Sequence, residues 1–227
     1  MSYTREQIRL WLYENSADMS LFYKSGCINY RGKTSDTKEY YTEVIAEWLL
    51  EHLDLFEQIQ TITRSSSYRV VGHDGISDNP DSNREEELIA MAMMRQGNMP
   101  IIGEILDYQT PLKNRQKDRA GKVDLLAYDG TTLRILELKE PDSRETMLRC
   151  VLEGYTYLRT VDTAKLLSDF QLPADTPVAA CPFVFHGGLQ WNEIRQNRPF
   201  LKRLVDKLNT KPYYIVADNK KYNVVKE

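Results

Sequence analysis

Three cysteines and three histidines in 227 residues leave little material for sulfur or imidazole chemistry. Cys27, Cys150 and Cys181 lie far apart with no Cys-x-x-Cys spacing. This argues against a zinc ribbon and a disulfide framework and leads to the expectation of a reducing, cytoplasmic setting. His52, His73 and His186 have no metal-ligand spacing, and His73 in Gly72-His73-Asp74-Gly75 reads as a loop residue. Neither a Gly-rich phosphate loop nor a nucleophile elbow is present, so NTPase and serine- or cysteine-nucleophile readings have no motif behind them. Apolar runs of membrane-spanning length are missing, and Met1–Gln7 lack a basic region followed by an apolar one, so a soluble, non-exported protein is expected. Positive charge is not in surplus: the net charge is −3. That argues against coating nucleic acid non-specifically, because such affinity needs many phosphate-neutralising cations. Internal repeats and low-complexity tracts are also absent.

What is there suffices for one substantial domain or a core with an appended region. Thr4-Arg5-Glu6-Gln7 has the form of a capping box and opens a helix ending near Asn15. After Ser35-Asp36, Tyr41, Val44, Ile45, Trp48, Leu49, Leu53 and Phe56 recur at helical spacing and predict a longer helix fading near Ile59. Ser67–Val71 predicts a short strand. The turn formers of His73–Ser82 then separate a mainly helical region, 1–72, from a core domain, 82–227. Within the core, Ser82 or Asn83 caps an acidic helix over 83–94, and strands follow over 101–110, 121–128 and 132–139. Asp142 or Ser143 caps a helix reaching about Arg159, and Val178–Phe185 is a buried strand. A helix runs from Trp191 or Asn192 to Leu208 with a kink at Pro199, and two short strands around Asp218-Asn219 close the chain. The fold class this implies is α/β (α+β): a mixed β-sheet flanked by helices, with a helical N-terminal region.

Asp124 and the triplet Glu137-Leu138-Lys139 are the most informative residues. Asp129-Gly130 between two β-forming runs is a strong hairpin signal, and folding about it brings Asp124 near Glu137. Each carboxylate interrupts an apolar run that belongs in a core, where unpaired anions are costly. A hard cation such as Mg²⁺ removes that cost by taking one or two carboxylates, a main-chain carbonyl and waters. Alternation along the strand puts Glu137 and Lys139 on one face, so the Lys139 ammonium is placed to orient water or to stabilise transition-state charge.

Asp on one strand and Glu-x-Lys on the next, in a Gly-x-Val-Asp-Leu-Leu context, resembles the PD-(D/E)xK nuclease superfamily, whose fold is restriction-endonuclease-like. The resemblance covers roughly residues 82–157. It implies metal-dependent phosphodiester hydrolysis, with Mg²⁺ or Mn²⁺ held by Asp124, Glu137, the Leu138 carbonyl and a glutamate of the preceding helix, and with Lys139 positioning the attacking water. Helical spacing admits Glu85, Glu86 or Glu87 for that glutamate; the likeness of Glu85-Glu86-Glu87-Leu88 to the Glu-Arg-Glu-Leu of resolvase-like members selects Glu85. One branch of the superfamily carries Gln-x-x-x-Tyr on the following helix. Glu153 and Tyr157 stand at the matching positions, with Glu as a departure from Gln; with Arg149 they recur every four residues on one helix face, which suits contact with a nucleic-acid backbone or with Lys139.

The run from Lys113 to Lys122 holds five cations, Lys113, Arg115, Lys117, Arg119 and Lys122, against the single acid Asp118. Its place just before Asp124 favours a phosphate-tracking loop over a merely solvated one. The expected partner is nucleic acid, DNA ahead of RNA, without a membrane, for either a monomer or a homodimer. The competing expectations are a catalytically inactive nuclease-fold binding module and a metal-free structural ion cluster.

Overall fold

The computed structural model describes residues 2–76, 84–115, 118, 120–218 and 221–225. Thr4 caps α1 (Arg5–Asn15) through the reciprocal hydrogen bonds of a capping box with Gln7. The apolar period of the next segment forms α2 (Tyr41–Glu51), which passes into a 3-10 turn over Leu53–Gln58. No strand forms at 67–71. Tyr68 is fully buried, with its hydroxyl on the Ile62 carbonyl, whereas Val71 is 99% exposed, so this segment is anchored through one aromatic side chain and not by a ladder.

The acidic helix is α3 (Glu85–Gln96), preceded by Arg84; its expected caps, Ser82 and Asn83, lie outside the described residues. Then come β1 (Asn98–Met99), β2 (Gly103–Pro111), β3 (Lys122–Tyr128) and β4 (Leu133–Leu138), each antiparallel to its predecessor. Helix α4 (Met147–Thr160) starts later than expected. Its cap is Thr146, not Asp142 or Ser143, because Thr146 accepts the Arg149 amide while donating to the Ile28 carbonyl, and its own amide donates to Asn29. Asp162 caps α5 (Thr163–Asp169), and β5 (Val178–Phe185) returns parallel to β4. The single kinked helix expected next is two helices, α6 (Leu189–Arg195) and α7 (Pro199–Leu208), because Pro199 begins a new helix at its first turn. β6 (Tyr213–Asp218) is parallel to β5, and β7 (Lys221–Val225) is antiparallel to β6.

Among the described residues the seven strands form one mixed sheet in sequence order, so the fold is α+β. β1 comes against β7, and the sheet curls nearly into a barrel. Gln96 helps close it, since its side-chain amide donates to the Tyr222 carbonyl at 2.6 Å and accepts the Tyr222 amide at 3.0 Å. Alternation divides the core: Leu126, Leu133 and Ile135 join α1, α2, α4 and α7 on one face, and Leu125, Leu136 and Leu138 join α3 on the other. The N-terminal helices thus share a single apolar cluster with α4 to α7, which lie between β4 and β6 in the chain. Among the described residues no helix is long and apolar enough to cross a membrane.

Candidate active site

β3 and β4 pair Leu125 with Leu136 and Leu126 with Ile135, and Asp124 and Glu137 are the residues just beyond the end of that ladder. Asp124 is half-buried at the end of the ladder and closes it with its side chain. Its Oδ2 accepts the Leu138 amide at 2.9 Å, and its Oδ1 accepts Gln109 Nε2 at 3.1 Å. Leu138 therefore meets Asp124 through its N–H. Gln109 sits in β2 with φ of 49°, a left-handed conformation that a non-glycine residue adopts only when its surroundings impose it.

Glu137 and Lys139 are on one face, as alternation requires, and both are buried. Lys139 Nζ lies 2.6 Å from Glu137 Oε1, 3.1 Å from Glu145 Oε2, 3.5 Å from Glu153 Oε2 and 3.9 Å from Glu86 Oε1. Burial works against its charge, but Glu137 and Glu153 outweigh it and hold the ammonium well above its ordinary pKa. Burial raises Glu137 well above the usual carboxylate range, with Asp124 and Glu153 adding to the rise against Lys139. Asp124 is pushed up by burial to about 7, with Lys139 opposing. Glu153 goes the other way. Burial would raise it, but Lys139 and its hydrogen bonds lower it, so Glu153 keeps its charge while Glu137 is driven towards its neutral form.

Helix α3 delivers Glu86 to the site, and Glu85 is exposed. The buried stripe of α3 runs through Ile89, Ala90 and Met93, which stand three, four and seven residues after Glu86. Glu85, one position earlier, is rotated off that stripe. Burial raises the Glu86 pKa against the pull of Lys139.

Glu153 reaches Lys139, and Tyr157, largely buried, lines a separate cavity of about 190 Å³ with Tyr23, Ala120 and Gly121 and not the acidic cleft. Tyr157 donates to Glu153 Oε1 at 2.8 Å, its ring packs edge-on against Tyr23, and a β-carbon at Gly121 would collide with its hydroxyl. Tyr157 is therefore buried beneath the start of β3, where it braces Glu153. Arg149 pairs with Glu145 at 2.9 Å rather than with Glu153.

A cleft of about 700 Å³ opens above Asp124, with Gln109 beside it, Glu85–Glu87 along one side, and Glu140, Asp142 and Glu145 along the other. Arg84 and Arg144 are the cations on its walls. Such an excess of acid attracts cations and repels a bare phosphodiester. Of the expected basic loop, Lys113, Arg115 and Lys122 are exposed, and Lys117 and Arg119 lie outside the described residues. Asp118 shapes this loop by accepting the amides of Asn114 and Arg115, and Arg64 holds the carbonyls of Pro111 and Lys113. Lys122 shares a strand face with Asp124, which links the basic loop to the cleft floor.

The donor chemistry suits a hard divalent ion. Asp124, Glu137 and Glu86 are oxygen donors with raised pKa values, and among the described residues the buried Glu137 Oε2 has no hydrogen-bond partner. Among those residues, however, no three His, Cys, Asp or Glu side chains are already gathered to share a cation; the carboxylates turn to Lys139 instead. No family model matches the chain, and no curated protein or solved structure is significantly similar to it. The functional reading therefore rests on the site itself.

Sequence reasoning missed Gln109, Glu145 and Tyr23. Gln109 depends on a strained backbone and Tyr23 on packing across the chain, and neither leaves a local signal. Glu86 was one of three glutamates that helical spacing admits, and the burial of Ile89, Ala90 and Met93 in the folded helix is what picks it out.

Proposed function

We propose that this protein is a metal-dependent nuclease that hydrolyses phosphodiester bonds of DNA, on a restriction-endonuclease-like core. The observation that carries the proposal is that Asp124 and Glu137 follow directly on the last paired residues of the β3–β4 ladder, with Asp124 lining an acidic cleft and the buried Lys139 Nζ 2.6 Å from Glu137. The order α3, β2, β3, β4, α4, β5, with three antiparallel strands and a helical crossover to a parallel fourth, supports the core assignment.

Asp124 and Glu137, with Glu86 as the acid from α3, would hold Mg²⁺ or Mn²⁺. When bound, the cation supplies charge neutralisation and lowers the pKa of a water. The chain's own groups do the rest. Lys139 is held charged by Glu153, so it presents an ammonium to the anionic oxygens that develop at phosphorus. Tyr157 and Tyr23 hold Glu153 in place. Lys113, Arg115 and Lys122, exposed in and after the loop that leads to Asp124, would hold the backbone of the strand. The raised pKa of Asp124 keeps the carboxyl exchangeable near neutrality until a cation fixes it ionised.

One observation favours a second reading, a non-catalytic nuclease-fold binding module. Lys139 is engaged by Glu137, Glu145, Glu153 and Glu86 with no preassembled cation cluster among the described residues. Calorimetric titration of Mg²⁺ and Mn²⁺, with cleavage of single- and double-stranded DNA assayed on the same samples, separates the two. The nuclease reading expects binding and cleavage that both disappear in Asp124→Ala. Binding of DNA without cleavage in either metal would leave the module reading.

A further inference from the structure

A second site stands apart from the acidic cleft, where Arg198 enters a small cavity beneath the turn preceding α2. Arg198 is 6% exposed, and its guanidinium lies 3.1 Å from the centroid of the Tyr40 ring. Nη2 donates to Gln196 Oε1 at 3.0 Å, and among the described residues Nε and Nη1 have no acceptor. Thr42 is 3% exposed, and its hydroxyl also has no partner among the described residues. Both side chains line the same cavity of about 110 Å³, whose wall also includes the buried Glu193 and whose rim carries the exposed Arg31 and Gln196. Burying a guanidinium with unmet donors is costly, and orphaned polar atoms that meet in one cavity mark a missing partner.

The neighbouring carboxylates do not supply that partner. Glu43 accepts the amides of Phe200 and Leu201, and Glu193 Oε2 accepts the amide of Met147 at 2.7 Å. Their fields reach Arg198 only through space. Burial depresses its pKa, and Glu193, Tyr40 and Glu43 oppose the fall.

We propose that this cavity binds a phosphate group, with Arg198 and Thr42 as its donors. The free donors come from two separate elements, α2 and the link between α6 and α7, and a tetrahedral oxyanion has acceptor oxygens on several sides to meet them. The cavity admits a phosphate but not a nucleoside, so any organic part of the ligand stays at the rim with Arg31. The inference is independent of the nuclease reading, because none of these residues belongs to the acidic cleft.

The test is titration of inorganic phosphate, adenosine 5′-monophosphate and acetate into the full-length protein, read by calorimetry and by thermal unfolding without divalent metal. Phosphate is expected to bind and to raise Tm in proportion to the logarithm of its concentration above Kd. Arg198→Met, which keeps the length and removes the charge, is expected to weaken binding at least tenfold, and the near-isosteric Thr42→Val several-fold. Tighter binding of the monophosphate than of inorganic phosphate would identify a phosphoester as the ligand, and equal binding the free ion; both support the site. A wild type that neither binds nor is stabilised by phosphate would show that water fills the cavity and would overturn the proposal. So would acetate binding as tightly as phosphate, or unchanged phosphate affinity in Thr42→Val. The wild-type and Thr42→Val results decide the matter even if Arg198→Met fails to fold.

Discussion

The hydroxyl of Tyr157 donates to Glu153 at 2.8 Å, and the other oxygen of the same carboxylate lies 3.5 Å from Lys139. The tyrosine thus acts on the site through Glu153 and touches no open part of the cleft. Tyr157→Phe removes the hydrogen bonds to Glu153 and with the Tyr23 hydroxyl and leaves the ring packed against Tyr23, so about 1–2 kcal/mol of stability is expected to be lost. With Glu153 less firmly held, the Lys139 ammonium loses part of its fixation. DNA cleavage is expected to fall roughly tenfold in kcat with little change in KM, because the Tyr157 hydroxyl does not bind substrate. An unchanged kcat beside the expected stability loss would show Tyr157 to be a structural residue alone.

The side chain of α3 that matters is expected to be Glu86. Glu86→Gln keeps the shape and removes a carboxylate facing Lys139, and Mg²⁺ affinity should fall on the order of tenfold or more. Glu85→Gln alters an exposed wall of the cleft and should change that affinity less than about twofold, as screened surface charges do. Calorimetric titration of both variants reads this directly, and the reverse ranking would restore Glu85 as the ligand.

These two glutamates show how far the sequence could be read. The hairpin was legible because Asp129-Gly130 and the alternation of Leu125, Leu126, Leu133 and Leu136 act locally, and pairing then followed without choice. The face shared by Glu137 and Lys139 came with it. Thr4 and Gln7 likewise specify their own helix start. What escaped depends on distant partners. Thr146 caps α4 because Ile28 and Asn29 fix it from more than a hundred residues away. Tyr68 is drawn inward by Ile62 and Asp169, which turns a strand-like run into irregular chain. Tyr157 packs under Gly121 and against Tyr23 and holds Glu153, contacts that come from segments far away in the chain. His73, read as a plain loop residue, lies 2.6 Å from the buried Asp107 and ties the loop to β2.

Asp124 makes stability depend on pH with a definite sign. Its folded pKa of about 7 lies above the ordinary 3.8, so the folded protein takes up this proton more readily than the unfolded chain. The metal-free protein is therefore destabilised through this group as pH rises from about 4, and the full penalty is present above about 7. Asp124→Asn removes the titration. The variant should match the wild type near pH 4 and be more stable by on the order of 2 kcal/mol at pH 8 without divalent metal. Mg²⁺ should stabilise the wild type more at pH 8 than at pH 5 and leave the variant unaffected. Denaturant unfolding across this range is the measurement, and a constant difference between the two proteins would contradict the assignment.

The loop before β3 should govern how binding responds to salt. Lys113, Arg115 and Lys122 are exposed, so on the nuclease reading their contribution to DNA binding is to neutralise phosphates and displace counterions. Each substitution by alanine is expected to weaken binding of unrelated sequences about equally and to reduce the slope of log K against log salt by roughly one. Catalysis at saturating DNA should change little, because these side chains hold the backbone and do not touch the reacting phosphate. Lys122 should have the largest effect, since it stands two residues before Asp124 on the same strand. Fluorescence anisotropy with catalytically silent Asp124→Ala as the background isolates binding from cleavage, and an undiminished salt slope in Lys122→Ala would place the DNA on another face of the protein.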